Sequence, residues 1–337
     1  MSAAVERVLA PAEDPAVRAT GLGGTDMAVL AGFGYGDRTN LALWEEKLGL
    51  REPEDPGEPA FWGKRLEGEV ATVTAERLGV KIARVNSTIR HPQHEFLFAH
   101  IDRRIVTSSI EGETLARMRH VLGALDGGRW AGPGRWLLEI KAVNPFVARE
   151  SWGADWEELP PRVLVQVQHY LRLTGYDGAI VAVLIGGQEL RLYFVPRDRD
   201  MGEDLVKLGV HFWTQHVLTR VPPAITTYAD AKRLFPQHVG MPIAATEAIA
   251  ATTALYAELK AREKQLAGEI DKTQAEIAAF LGEHETLTVY NDPVLTWRTQ
   301  TQRRLNEAAL KAERPDLYAQ YLRESTIRVM RLKGNAK

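Results

Sequence analysis

The chain has 337 residues, a hydrophobic share of 45%, 42 basic against 44 acidic side chains for a formal net charge of -2, and no cysteine. That length and apolar content mark a globular protein with room for one large domain or two smaller ones. The missing cysteine excludes disulfides, thiolate metal sites and cysteine nucleophiles and fits a reducing cytoplasm, while the charge excludes a protein coated in positive potential without excluding a local basic channel.

In chain order, residues 1–17 are rich in Ala and Pro and have no period, so they read as a loose leader for which partial disorder is expected. They lack the basic flank and apolar segment of a secretory leader, and no run in the chain is long enough to span a bilayer. Residues 25–48 are helical in pattern, interrupted by Gly32-Phe33-Gly34-Tyr35-Gly36, and residues 51–59 read as a loop rich in Pro and acids. A helix is expected over 61–78, then strands around 83–89, 96–101, 104–108 and 136–143, with a Gly-rich turn at 127–134. The helix bearing Gln166 follows. Residues 179–185 and 190–196 form a hairpin-like pair around Gly186-Gly187, and 204–219 is a helix ending before Pro222-Pro223. The fold class is therefore α/β, with a mixed sheet flanked by helices.

After residues 236–242 the composition shifts to Ala, Glu, Lys and Gln. Leu255, Leu259, Leu266, Ile270, Ile277 and Leu281 line one stripe of a long helix, which is expected to pack on the later helices. A mainly helical accessory region is placed over 243–337, with a short hairpin over 289–298 covered by the last helices. Basic residues there, among them Arg298, Arg303, Arg304 and Arg314, read as solvated helix faces.

The chemistry concentrates in Arg135-Trp136-Leu137-Leu138-Glu139-Ile140-Lys141-Ala142-Val143. Side chains alternate along a strand, so Glu139 and Lys141 project one way while Leu138, Ile140 and Ala142 face the core. Burying charges is costly unless they are paired or bind a metal, so two of them on an apolar strand require a reason. Asp102 lies in a strand-like run upstream, and Gln166 and Tyr170 share a helix face downstream at i and i+4. Asp102 and Glu139 together offer the two carboxylates that a hard cation such as Mg²⁺ favours. His91, His94 and His100 span a Pro-containing turn rather than one helix face, so they are read as surface or DNA-facing histidines, not as zinc ligands.

These residues resemble the lambda-exonuclease and YqaJ-type viral recombinase nucleases of the PD-(D/E)XK superfamily. The similarity includes Arg18, Leu22-Gly23-Gly24-Thr25-Asp26, Leu43-Trp44-Glu45-Glu46-Lys47, Trp62-Gly63-Lys64-Arg65-Leu66-Glu67, Asp102, Glu139, Lys141, Gln166-Val167-Gln168-His169-Tyr170-Leu171 and residues 182–188. It covers roughly residues 18 to 223 in the family's order, and residues 314–321 are similar to C-terminal extensions of phage YqaJ-type proteins. The chain departs from the family in carrying Ile101 where the superfamily's proline precedes the metal-binding Asp, and in having no basic residue at matching spacing after the Lys strand.

The resemblance implies a restriction-endonuclease-like nuclease domain over 18–236. Within it Asp102 and Glu139 would hold one or two Mg²⁺, or Mn²⁺ in substitution, with the Ile140 carbonyl as a further ligand. Lys141 would orient or deprotonate a water, Gln166 would position the nucleophile, and Glu67 resembles an additional acidic residue of the metal site; a helix-surface acid is its other reading. Arg18 and Thr25 resemble the pocket for a DNA 5′-phosphate, with Arg149 nearby, and Thr25 as the cap of a Gly-rich helix start is the alternative. The function implied is a Mg²⁺-dependent deoxyribonuclease of phage or prophage origin in a bacterial cytoplasm. It would resect linear duplex DNA from 5′ ends as a homo-oligomer, often a ring-shaped trimer, with a single-strand-annealing partner. A structure-specific or restriction-like endonuclease, and a DNA-end-binding or assembly protein with a vestigial core, are the alternatives.

Overall fold

The computed structural model describes residues 18–36, 38–52, 57–106, 116, 120, 135–154 and 156–333. The expected leader, the end of the strand at 104–108 and the Gly-rich turn at 127–134 lie outside the described residues. The chain divides into two compact units, Met1–Ala231 and Lys232–Lys337.

The first unit is built on a mixed sheet of β1 (Ile82–Arg84), β4 (Arg103–Ile105), β5 (Trp136–Val143), β6 (Gly178–Ile185) and β7 (Glu189–Pro196), in that spatial order. Only β5 and β6 are parallel, and the other pairs are antiparallel. A parallel pair needs a long crossover. Residues 144–177 supply it, through helices α4 (Pro145–Ser151) and α5 (Pro161–Thr174). Asn144 starts α4 by accepting the Phe146 amide at 2.8 Å, and α5 stops at Gly175, whose φ of 67° suits a left-handed cap. A second pair, β2 (Ile89–Arg90) and β3 (Phe98–Ala99), stands apart from the main sheet.

Alternation along β5 sets the two faces. Trp136, Leu138 and Ile140 pack with Val70, Ala71 and Leu78 of helix α3 (Gly57–Leu78) and with Ile180, Ala182 and Phe194. Each such side chain contributes roughly 1.5–3 kcal/mol by leaving water. Glu139 and Lys141 take the opposite face, where α5 lies. Helix α3 begins at Gly57, inside the expected loop, because Pro59 is tolerated in a first turn that needs no intrahelical donor.

Leu22 donates its amide to the Phe96 carbonyl at 2.6 Å and accepts the Phe98 amide at 3.0 Å, which pins the segment before helix α1 (Gly24–Leu30) beside β3. Helix α2 (Asn40–Lys47) follows, capped by Thr39. The β6–β7 hairpin turns on Gly186 and Gly187, both at positive φ (59° and 72°), as a tight twisted hairpin requires. Helix α6 (Arg199–Phe212) starts ahead of the expected residue 204 because Asp198 caps it, and a π-helical turn carries it on to Val217.

The second unit holds helix α8 (Glu247–Leu281), a hairpin of β8 (Thr286–Val289) and β9 (Asp292–Thr296), and helices α9 (Glu307–Glu313) and α10 (Pro315–Tyr321); helix α7 (Tyr228–Leu234) straddles the boundary. The hairpin lies ahead of the expected 289–298, turning on Tyr290 and Asn291 at positive φ, and the last helices leave it half-buried or exposed. The leucine stripe corrects the sequence expectation too. Leu259 is 48% and Leu266 57% exposed, and in this unit Leu281 alone is buried among the described residues. The reason is reach: α8 has 35 residues and spans about 52 Å, whereas α9 and α10 have 7 residues each. No helix among the described residues is long and apolar enough to cross a membrane.

Candidate active site

The site forms where β4 stops pairing with β5. The ladder ends at Arg103 opposite Leu138, and beyond it the Ile140 amide donates to Asp102 Oδ2 at 2.8 Å. On the face of β5 opposite the Ile140 side chain, Lys141 Nζ donates to Glu139 Oε1 at 2.5 Å and to Gln166 Oε1 at 3.1 Å. Gln166 Nε2 in turn donates to Glu139 Oε1 at 3.0 Å and to the Tyr170 hydroxyl at 2.9 Å. Glu139 is 2% exposed, and its Oε2 is buried without a hydrogen-bond partner.

Burial, reinforced by the Glu139 carboxylate, drives the Asp102 pKa well above the usual carboxylate range, although Lys141 and the Ile140 amide oppose the shift. For Lys141, burial alone would favour the neutral amine. The carboxylates of Glu139 and Asp102 outweigh it and hold the ammonium above its ordinary pKa. Burial and Glu139 also raise the Tyr170 hydroxyl well above 10, so it stays protonated. Ionised together, Asp102 and Glu139 would bring more negative charge than Lys141 neutralises, which is why Asp102 resists giving up its proton. An orphaned buried oxygen, two carboxylates and a strand-edge carbonyl are a donor set of the kind a hard divalent cation takes. Among the described residues no group of three or more His, Asp or Glu side chains gathers in metal-holding geometry.

Asp102, Glu139, Ile140, Lys141 and Gln166 are therefore brought together. Glu67 on α3 accepts from Arg103 Nη1 at 2.5 Å, and its charge reaches Asp102 as a minor contribution to the raised pKa. Thr25 lines a cavity shared with Lys141 and Gln166. Gly23 is the helix cap and Thr25 sits within the first turn, so the capping role is not Thr25's. Arg18 is exposed, its carbonyl accepting from Lys47 Nζ at 2.7 Å. Lys47 also bonds Asp26 Oδ2 at 2.8 Å, and Asp26 accepts the Gly23 amide, so a buried ion pair holds the Gly-rich segment. Arg149 is exposed on α4, and no contact among the described residues joins it to the cluster.

His91 corrects the expectation of a surface residue. It is buried, and its Nδ1 accepts the amides of Gln93 and His94, which leaves the proton on Nε2. His100 pairs with Thr88 Oγ1 at 2.9 Å. Gln168 and His169, on the faces of α5 away from Gln166, are buried: Gln168 ties the Pro196 carbonyl and the Asp198 amide, and His169 Nε2 donates to the Phe98 carbonyl. Sequence reasoning missed Arg103, whose pairing with Glu67 is non-local. It also missed Arg162, which the i−4 spacing from Gln166 would have revealed.

Sheet, crossover helix and carboxylate–lysine cluster define an α/β protein whose mixed sheet, flanked by helices, carries a buried polar site. Residues 15–177 match the model of the YqaJ-like viral recombinase domain, so that stretch of the chain is similar to that family. The chain is 28% identical over 331 residues to an uncharacterized protein, YqaJ of Bacillus subtilis strain 168, covering 92% of this chain and 90% of that protein. Among solved structures, an alkaline exonuclease from Laribacter hongkongensis superposes with a TM-score of 0.44 at 15% identity, covering 61% of this chain and 92% of its own. A phage-related exonuclease from Haemophilus somnus 129PT gives 0.40 at 12% identity, with 59% and 96% covered.

Proposed function

We propose that this protein is a metal-dependent deoxyribonuclease that degrades linear double-stranded DNA, a processive 5′-to-3′ exonuclease leaving 3′ single strands for recombination by annealing. The observation that carries the reading is the buried Asp102–Glu139–Lys141–Gln166 cluster, in which two carboxyl groups stand beside a single ammonium.

Asp102, Glu139 and the Ile140 carbonyl would hold Mg²⁺, or Mn²⁺ in its place; a strand residue's carbonyl leaves on the same edge as its amide, which here meets Asp102. When bound, the cation polarises the scissile phosphodiester and lowers the pKa of a water. Lys141 Nζ, kept protonated by the carboxylates, orients the attacking water and stabilises the charge that grows on the phosphoryl oxygens. Gln166 fixes Lys141 and Glu139 at once, and Glu67 holds Arg103 beside Asp102. Arg18 and Thr25 receive the 5′-phosphate at the Gly-rich segment, with Arg149 on the approaching DNA. The functional domain runs over 18–236 and residues 243–337 are accessory. The protein acts in the bacterial cytoplasm as a homo-oligomer, a ring-shaped trimer, and hands its product to a single-strand-annealing protein. The half-exposed stripe of α8 supports contact between copies.

Digestion of linear duplex carrying a 5′-phosphate on one labelled strand, beside covalently closed circles, tests the reading. Mononucleotides released from the phosphorylated strand in Mg²⁺ but not in EDTA, with circles intact, are expected. Cut circles would replace it with an endonuclease, and no cleavage by folded protein with a DNA-end-binding role.

A further inference from the structure

Arg162 stands one turn before Gln166 on α5, on the face that carries Gln166 and Tyr170. It lines, with Thr25, Phe33, Tyr35, Lys141 and Gln166, a cavity of about 150 Å³ that opens on the cluster. Its guanidinium lies 4.1 Å from the centroid of the Tyr35 ring, well within cation–π range, while Tyr35 itself is 60% exposed. The other cations around this cavity are already matched: Lys141 by Glu139, and Arg38 by Asp26 and Glu46. Arg162 Nε is buried without a hydrogen-bond partner, and no carboxylate pairs with Arg162 among the described residues.

A guanidinium with no carboxylate partner among the described residues, set over a ring and facing a site for phosphodiester chemistry, has the geometry to accept an anion. Stacking fixes the plane and leaves the edge N–H groups to bond two oxygens of one phosphate, which an ammonium does not do. We propose that Arg162 grips a backbone phosphate of the strand being cut, adjacent to the scissile one, and that Tyr35 is the positioning residue that holds it there. The contact is to backbone and is independent of sequence. It rests on the nuclease reading above.

The test is the affinity for a 5′-phosphorylated linear duplex in Ca²⁺, measured by fluorescence anisotropy over a range of salt, for the wild type and variants. Arg162→Gln is expected to weaken binding about tenfold. It also lowers the slope of log K against log salt by about one, the signature of one lost phosphate. Arg162→Lys keeps the wild-type slope with reduced affinity. Tyr35→Ala weakens binding, and adding it to Arg162→Gln costs nothing further, since the ring acts through the arginine. An unchanged slope in Arg162→Gln overturns the phosphate contact, and full additivity with Tyr35→Ala overturns the positioning role. If Arg162→Gln does not melt as a folded protein, wild-type affinity in both Arg162→Lys and Tyr35→Ala overturns the clamp. A wild type that binds no linear duplex at all would sink the nuclease reading itself, which separates the two failures.

Discussion

Asp102 keeps the Ile140 amide satisfied at 2.8 Å yet sits where its own charge is unwelcome, between burial and the Glu139 carboxylate. Its folded pKa is raised above the unfolded value, so above that pKa the ionised side chain costs stability that a neutral isostere would not. Asp102→Asn, which still accepts the amide, is therefore expected to raise the melting temperature in EDTA at pH 8, by about 2–4 °C per kcal/mol relieved. Added Mg²⁺ should raise the wild-type melting temperature and leave the variant's unchanged. A lower melting point for the variant in EDTA would contradict the excess of negative charge. His169 works in the opposite direction. Its Nε2 donates to the Phe98 carbonyl, and burial lowers its pKa to about 4 from the usual 6.5. The unfolded chain then binds a proton that the native state refuses, so stability is full above pH 6.5 and falls between 6.5 and 4, by about 3 kcal/mol for a fully buried ring. Denaturant titrations across that window should show His169→Gln with a flatter pH dependence than the wild type.

At the scale of elements, α1 and α5 meet at Gly24. A Cβ there would lie 2.6 Å from Tyr170 Cε1 and 2.7 Å from Gln166 Cγ, so Gly24→Ala forces the helix that carries Gln166 away from its partner. The expected cost is about 1–3 kcal/mol of stability, from denaturant midpoints, and at least a tenfold loss of cleavage rate. An active, equally stable variant would mean that the two helices adjust freely. The elements that sequence made legible are those with local signals: β5 by its alternation, α5 by i and i+4 spacing, and the β6–β7 hairpin by two consecutive glycines. Strands β1 to β4 have two or three residues each and exist through partners far along the chain, as does the bridge from Leu22 to residues 96–98. The core of the candidate site was legible because Glu139 and Lys141 break an apolar run. The Glu67–Arg103 pair and the buried state of His91 were not, since neither follows from the spacing of neighbours. The periodicity of α8 reported that a stripe exists but carried no information on what covers it.

At the scale of the whole molecule, the two units differ in what holds them. The first has a layered core on both faces of its sheet, while the second buries one side chain, Leu281, among the described residues. Its backbone can open locally at small cost, so brief proteolysis of the free protein should cut first between residues 232 and 333 and leave the sheet unit intact. Fragments cut first within β5 or β6 would contradict this. The central claim is that the cluster on β5 hydrolyses DNA, and Lys141 tests it most directly. The measurement is the rate of nucleotide release from linear 5′-phosphorylated duplex in Mg²⁺, for wild type and Lys141→Ala, with melting and DNA binding recorded on the same preparations. The account predicts a folded, DNA-binding variant whose rate is lower by at least about 10²–10⁴-fold. Equal rates in the two proteins would contradict it.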